Sequence, residues 1–191
     1  MRTSLTILAG IIAIQACGGA GDSAAGDTTP AESAAARADS APTPGATAPV
    51  RNAAGRELGT LTLTDSAQGG IRVTGRLTGL PPGEHGVHIH MVGQCQPPFE
   101  SAGAHWNPTS RQHGAQNPQG PHLGDMLNIT VGADSSVNVN LTTTGGSLRS
   151  ANGLMDADGA SIVVHARADD YRTDPSGNSG DRIACGVVTG G

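Results

Sequence analysis

The stretch LGTLTLTDSAQGGIRVTGRL, residues 58–77, decides the class of fold. Apolar and polar side chains alternate over residues 58–63 and again over 71–77, which is typical of half-buried β-strands. The intervening DSAQGG, residues 65–70, is rich in turn-forming residues. The whole stretch therefore predicts a β-hairpin.

Segments of the same kind recur along the chain and predict an all-β domain. Six further strands are predicted, at residues 46–51, 87–92, 126–131, 137–141, 161–166 and 183–188. Eight short antiparallel strands predict a Greek-key β-barrel or sandwich. Two intervals, 93–125 and 167–182, are too long for hairpin turns, and loops of that length in a compact domain are usually functional.

Composition and charge exclude two classes of function. The 191 residues include 29 Gly and 12 Pro but only three aromatic residues, so the core has to be built from aliphatic side chains. No stretch after residue 16 stays apolar over the roughly 20 positions that a membrane-spanning helix needs, which excludes a transporter or channel. The eleven basic residues are all Arg and are scattered along the chain, and sixteen acidic residues outnumber them. No nucleic-acid partner is therefore expected.

The first 45 residues are predicted to export and tether the protein. Residues 1–16 combine an early Arg with an apolar run, as in a secretory signal peptide. The segment Ile14-Gln15-Ala16-Cys17 resembles the bacterial lipobox, which predicts a lipidated Cys17 and a membrane-anchored protein of the bacterial envelope or periplasm; an ordinary signal with an incidental Cys is the alternative. Residues 17–45, rich in Ala, Gly and Pro, are predicted to be a disordered tether before a domain at 46–191.

Histidine placement points to metal binding. His88 and His90 lie two apart in a predicted strand, so both rings leave the same face and can share one metal. His165 ends another predicted strand and can reach the same ion. The first long loop carries three imidazoles and one carboxylate, a set that satisfies a tetrahedral zinc ion. These four residues are His105, His113, His122 and Asp125.

Five blocks of sequence, in order, resemble the copper/zinc superoxide dismutases, and the resemblance covers residues 46 to the end. Several independent blocks make a far stronger signal than one short motif. The blocks are GVHIH (86–90), GAHWNP (103–108), HLGD (122–125), VVHA (163–166) and GNSGDRIACG (177–186).

The resemblance implies two metals and a reaction. Copper would be held by His88, His90, His105 and His165, and zinc by His105, His113, His122 and Asp125. His105 would bridge both ions. The implied activity converts superoxide to dioxygen and hydrogen peroxide by cycling copper between Cu(II) and Cu(I).

The same resemblance implies roles for residues outside the ligand sets. Arg182 would attract the anionic substrate beside copper, and Asp169, rather than Asp170, would join His88 to His113 by hydrogen bonds. Cys95 and Cys185 would form a disulfide, which fits an oxidising compartment. His85 is expected to bind backbone in its turn rather than metal.

Other interpretations stay open at the level of sequence. One is a metal-carrying or copper-buffering β domain without turnover, and another is an adhesion-type sandwich, which leaves the clustered His unexplained. A copper-only dismutase is a narrower alternative. The sequence leaves open whether the protein forms a homodimer and whether Arg167 and Arg172 face the substrate channel.

Overall fold

The computed structural model describes residues 45–150 and 153–190. The predicted signal peptide, Cys17 and the tether up to residue 44 lie outside these described residues. Within them, no helix is both long and apolar enough to cross a membrane.

The described chain is all β, as predicted, apart from one turn of 3₁₀-helix at Glu100–Ala102. The predicted hairpin over residues 58–77 is present. A short extra strand at 83–85 was not expected from the sequence, and the strand expected at 126–131 begins only at residue 129. The strands in the described part are β1 (Ala46–Asn52), β2 (Glu57–Asp65), β3 (Ile71–Thr78), β4 (Gly83–His85), β5 (Val87–His90), β6 (Ile129–Val131), β7 (Ser136–Thr142), β8 (Ala160–His165) and β9 (Arg182–Gly190).

The strands pair antiparallel in a curled Greek-key arrangement. Seven of them form one sheet in the order β5-β8-β9-β1-β2-β3-β7, and β4 pairs with β6 in a second sheet. The two sheets meet at Gly86, between β4 and β5, where the backbone turns from one partner to the other. Gly86 N donates to Arg167 O at 2.8 Å, and Gly86 O accepts from His165 N at 2.9 Å. This junction places β5 against β8, the two strands that carry three of the four predicted copper ligands.

The core is aliphatic because alternate residues of each strand point inward. Leu61 and Leu63 of β2 and Ile71 and Val73 of β3 are fully buried, whereas the intervening Thr and Arg side chains are not. A fully buried side chain of this kind stabilises the fold by about 1.5–3 kcal/mol through removal of apolar surface from water. Trp106, the one Trp of the chain, packs into the same cluster.

The longest connection in the described part of the chain joins β5 to β6, and a disulfide attaches it to the last strand. Cys95, on the β5–β6 connection, is bonded to Cys185 of β9; the two Cα atoms are 5.6 Å apart, and the residues are 90 positions apart in sequence. A small second core of Phe99, Ala102 and Val163 packs around Cys185. The connection is therefore fixed against β8 and β9 near its start.

Candidate metal centre

Sheet register brings three His side chains together before any loop is considered. His88 and His90 of β5 stand opposite Val163 and Ser161 of β8, and His165 ends β8. Val87 and Ile89 point into the core, so the two rings leave on the outer face, as the spacing of two predicts. All four residues of β5 are buried, because the long connection covers that outer face.

Four imidazoles form the first cluster. The ligand atoms of His88, His90, His105 and His165 all lie within 4.8 Å of one another, and the four residues are buried. One nitrogen of each ring has no hydrogen-bond partner: Nδ1 of His88 and Nε2 of the other three. Buried polar atoms are nearly always paired, so four unpaired nitrogens at one place are compatible with a cation-binding site. Imidazole ligands suit copper, and the donor set fits that ion.

The opposite nitrogens of these rings are held by acceptors, which fixes the direction in which each ring faces. His88 Nε2 donates to Asp169 Oδ2 at 2.8 Å and His90 Nδ1 donates to Gly103 O at 2.9 Å. His165 Nδ1 donates to Gly180 O at 3.1 Å. Partners of this kind set the tautomer of a metal-binding His and aim its free nitrogen at the ion.

The second cluster surrounds one carboxylate oxygen. Asp125 Oδ1 lies 2.8 Å from His105 Nδ1, 3.0 Å from His113 Nδ1 and 3.3 Å from His122 Nδ1. Ligands placed tetrahedrally at about 2.0–2.1 Å from zinc are themselves about 3.3 Å apart, so the donor set and its size fit zinc. The other oxygen, Asp125 Oδ2, accepts from the backbone N of Gly114 and of His122 at 2.8 and 3.0 Å, which turns Oδ1 toward the rings.

His105 belongs to both clusters. Its Nδ1 lies among the three other members of the second cluster, 3.4 Å from His122 Nδ1, while its Nε2 is one of the four orphaned atoms of the first. The His88 ring lies 4.0 Å from the His105 ring, centroid to centroid, and its ligand atom is also within 4.8 Å of those of His113 and Asp125. Because His88 Nε2 is taken by Asp169, its free Nδ1 is left for the first cluster.

Asp169 connects the clusters from behind. Its carboxylate accepts from His88 Nε2 at 2.8 Å and from His113 Nε2 at 3.0 Å, and its side chain is only 1% exposed. Asp170, the alternative weighed from the sequence, is exposed and accepts instead from Thr173 and Asn178 within its own loop.

Asn128 is a residue of this network that sequence reasoning missed. Its side chain pairs with the backbone of Asp169 in both directions: Asn128 Nδ2 donates to Asp169 O at 2.9 Å, and Asp169 N donates to Asn128 Oδ1 at 2.8 Å. Its position three residues after Asp125 was the only available signal. Asn128 N in turn donates to the hydroxyl of Tyr171 at 2.9 Å, so the two loops are joined next to Asp169.

Burial adjusts the protonation of the first cluster for metal binding. Loss of hydration lowers the pKa of His88 to about 3 and that of His165 to about 4, and also lowers the pKa of His90 and His105. Neighbouring rings and, for His90 and His165, the charge of Arg182 act in the same direction. These rings are therefore neutral at pH 7, which is the form that binds a metal.

His113 and the two carboxylates around it have the opposite electrostatics. Burial opposes charge on His113, but hydrogen bonds to Asp125 and Asp169 prevail and raise the pKa of His113 to about 9. Burial likewise opposes ionisation of the two carboxyls, yet hydrogen bonds from the surrounding rings hold the pKa of Asp125 and of Asp169 far below the usual range. Both carboxylates are thus ionised, and Asp125 Oδ1 is placed where it can bind a cation.

A cavity of about 870 Å³ opens the first cluster to solvent, and its lining includes His105, His165 and Arg182. Arg182 Nη1 donates to Phe99 O at 2.8 Å and Arg182 Nη2 donates to Gly103 O at 2.9 Å. Arg167 and Arg172 are exposed and are not among the lining residues. His85 lies apart from both clusters; as expected, its ring contacts the backbone carbonyls of His165 and Pro81, at 2.7 and 2.8 Å.

Comparison with known proteins agrees with the fold and identifies the family. Residues 57–188 match the family model described as copper/zinc superoxide dismutase (SODC). The chain therefore belongs to the copper/zinc superoxide dismutase family.

Among its relatives, it is 42% identical over 148 residues to the superoxide dismutase [Cu-Zn] of Caulobacter vibrioides, covering 75% of this chain and 84% of that one. It is 41% identical over 143 residues to the superoxide dismutase-like protein YojM of Bacillus subtilis, covering 73% of each.

Solved structures show the same fold. A superoxide dismutase-like protein from Bacillus subtilis superposes with a TM-score of 0.72 at 39% identity, over 75% of this chain and 97% of that one. The Cu/Zn superoxide dismutase from Brucella abortus superposes with a TM-score of 0.62 at 28% identity, over 75% of this chain and 98% of that one.

Proposed function

We propose that this protein is a copper/zinc superoxide dismutase that converts two superoxide anions and two protons into dioxygen and hydrogen peroxide. The observation that carries the proposal is the convergence of four unpaired ring nitrogens beside a cavity that is lined by two of these rings, His105 and His165, and by the guanidinium of Arg182. A cation-binding cluster open to solvent and paired with a fixed positive charge suits a small anionic substrate.

The donor sets support one ligand assignment. Copper would be held by His88, His90, His105 and His165. Zinc would be held by the second cluster, which consists of His105, His113, His122 and Asp125. Bound copper would supply the one-electron redox chemistry, and bound zinc a fixed positive charge on the far side of His105.

Residues of the chain would attract the superoxide anion, keep the ligand rings oriented and hold a proton for the product. Arg182, anchored through two carbonyls, keeps its remaining N–H groups for an anion in the cavity. His105 Nε2 faces the first cluster and can hold a proton for the peroxide product, while Asp125 keeps the other side of the ring in place. Asp169 keeps the His88 and His113 rings in fixed relation, so that the two clusters stay in register.

Reconstituted protein tests this activity. Dismutation is measured on protein loaded with copper and zinc, beside Arg182→Ala and a control, Arg72→Ala, at an exposed Arg that lies away from the cavity and contacts Asn140. We expect activity in the wild type and the control, and a loss of about tenfold or more in kcat/KM for Arg182→Ala, because a preorganised charge at the reacting anion is removed.

The outcomes separate the competing functions. Metal-loaded wild type without turnover would favour the metal-carrying or copper-buffering alternative, and full activity of Arg182→Ala would remove that residue from the mechanism. Metal analysis of the purified protein addresses the copper-only alternative, since about one copper without zinc would contradict the two-metal assignment.

We also propose that the protein is exported to an oxidising bacterial compartment. The Cys95–Cys185 disulfide supports this location, because such bonds are rare in reducing cytosol. The amino-terminal signal and a lipidated Cys17 belong to the same proposal and rest on sequence alone. Mass spectrometry of the mature amino terminus checks both: an acylated Cys17 as first residue is the expected result, and an unmodified Cys17 would exclude the anchor.

A further inference from the structure

The guanidinium of Arg182 is positioned without the help of any carboxylate. Its two hydrogen bonds go to Phe99 O and Gly103 O, which are neutral acceptors, at 2.8 and 2.9 Å. The Arg182 side chain is 17% exposed, and it lines the cavity over the first cluster. Its position is therefore set by the backbone of the disulfide-linked connection, and its charge is left for an anion.

Glu100 brings a negative charge to the same place. Glu100 Oε2 lies 3.7 Å from Arg182 Nη2, which is within ion-pair range but longer than a hydrogen bond. The Glu100 side chain is 76% exposed, so it is not held in a fixed geometry by packing. Glu100 thus acts on the guanidinium through its charge and adds little to its positioning.

The cavity mouth as a whole is acidic. Asp156 and Asp181 are exposed and line the cavity together with Glu100, whereas Arg182 is the only Arg among the described residues of the lining. Glu100 also lines a neighbouring groove that shares Asp181 and Arg182 with the cavity, so its carboxylate borders both approaches to the guanidinium. An incoming anion meets this carboxylate at the point where it meets the positive charge.

The geometry points to Glu100 as the residue that limits anion capture at this site. It competes with the substrate for the guanidinium of Arg182; for superoxide as the substrate, the inference rests on the function proposed above. A negative charge about 6 Å from a bound anion disfavours that anion about threefold in water. Screening shrinks the effect when the Debye length falls to about 8 Å at physiological ionic strength.

The test compares Glu100→Gln with Glu84→Gln, a control that removes the same charge from an exposed position on β4 outside both cavities. Azide is the probe anion, and its affinity for each copper-loaded protein is measured by optical titration at low and at physiological ionic strength. The bimolecular rate with superoxide is measured on the same samples.

We expect Glu100→Gln to raise azide affinity about threefold at low salt and clearly less at physiological salt, while Glu84→Gln changes it by less than about 1.5-fold. Equal effects of the two substitutions, or a gain that does not depend on salt, would overturn the inference. If the wild type binds azide but does not dismutate superoxide, the proposed function fails, and a gain in azide affinity confined to Glu100→Gln still supports the role of Glu100.

Discussion

Strands β5 and β8 carry three of the predicted metal ligands, His88, His90 and His165. The connection between β5 and β6 carries the other four, His105, His113, His122 and Asp125. The first set, the strand half, is positioned by sheet register and has lowered His pKa values. The second set, the loop half, is positioned by a disulfide and by hydrogen bonds to an ionised carboxylate. The strand half is therefore positioned by pairing within the sheet, whereas the loop half depends on links that substitutions of a few side chains can remove.

Loss of the disulfide is the strongest way to separate the halves. We expect the double variant Cys95→Ser/Cys185→Ser to lose about 4–5 kcal/mol of stability, because the bond closes a loop of about 90 residues in the unfolded chain. Urea unfolding of the metal-free protein measures the loss. Hydrogen exchange should then speed up over residues 91–128 and change little in β5 and β8; a uniform change along the chain would contradict the division into two halves.

Asp125 is the next most sensitive position, and it acts on the loop half alone. Asp125→Asn removes the charge that gathers three rings, so we expect zinc affinity to fall by at least about 100-fold and copper affinity by less than tenfold. Metal content after dialysis against a chelator measures both. The control is Asp134→Asn, an exposed carboxylate beside Ser136 in the β6–β7 turn. Equal loss of the two metals would show that the halves are not independent.

Asp169 should affect the halves together, because it contacts one ring of each. Asn in its place cannot accept hydrogen bonds from both His88 and His113, so Asp169→Asn should weaken each metal by about 10- to 100-fold. The comparison variant is Asp170→Asn, which changes the adjacent, exposed carboxylate. Competition titrations with both metals are the measurement, and an effect on only one of them would argue against coupling through Asp169.

Acidification should lower the free energy of unfolding of the metal-free protein through the His residues of the strand half, by less than loss of the disulfide does. In the unfolded chain the His88 and His165 rings become protonated below pH 6.5, whereas in the folded protein they stay neutral down to about pH 3 and 4. The stability they contribute is therefore present above pH 6.5 and is lost as pH falls. From pH 6.5 to 5 each ring costs about 1–2 kcal/mol. His113, with a pKa of about 9, stays protonated in the folded protein while its ring in the unfolded chain is still gaining protons below pH 6.5, so it offsets this loss by only about 0.4 kcal/mol.

Urea unfolding at several pH values checks this dependence. His165→Gln should flatten the slope between pH 6.5 and 5, whereas His113→Gln should steepen it by no more than about 0.5 kcal/mol over that interval. A flatter slope in the His113 variant alone would reverse the electrostatic difference between the halves.

Much of the strand half could be predicted from sequence because its causes are local. A spacing of two places His88 and His90 on one face of any strand, and the alternation in residues 58–77 identifies the hairpin. The outward placement of both rings follows from Val87 and Ile89 turning into the core. The nearness of the loop ligands to one another could be expected only from the family resemblance, since spacing along a loop fixes no distance.

The links around the site could not be predicted, because they join residues far apart in sequence. Asn128 meets the backbone of Asp169 across 41 residues, and Arg182 meets Phe99 O across 83. Backbone carbonyls leave no mark in a sequence, so the anchoring of Arg182 had no signal. The short strand at 83–85 was missed for a similar reason: three residues show no alternation, and the strand exists because β6 pairs with it.

A single oxygen atom, the carbonyl of Gly103, accepts from both His90 and Arg182. Gly103 has φ 74°, and a Cβ there would stand 2.9 Å from Val92 Cγ2, so the position tolerates no larger residue without a shift. The His90 ring and the Arg182 guanidinium therefore depend on the same backbone oxygen for their orientation. For the dismutase activity proposed above, laboratory evolution toward a faster rate should leave Gly103 unchanged and select substitutions among the acidic residues that line the cavity.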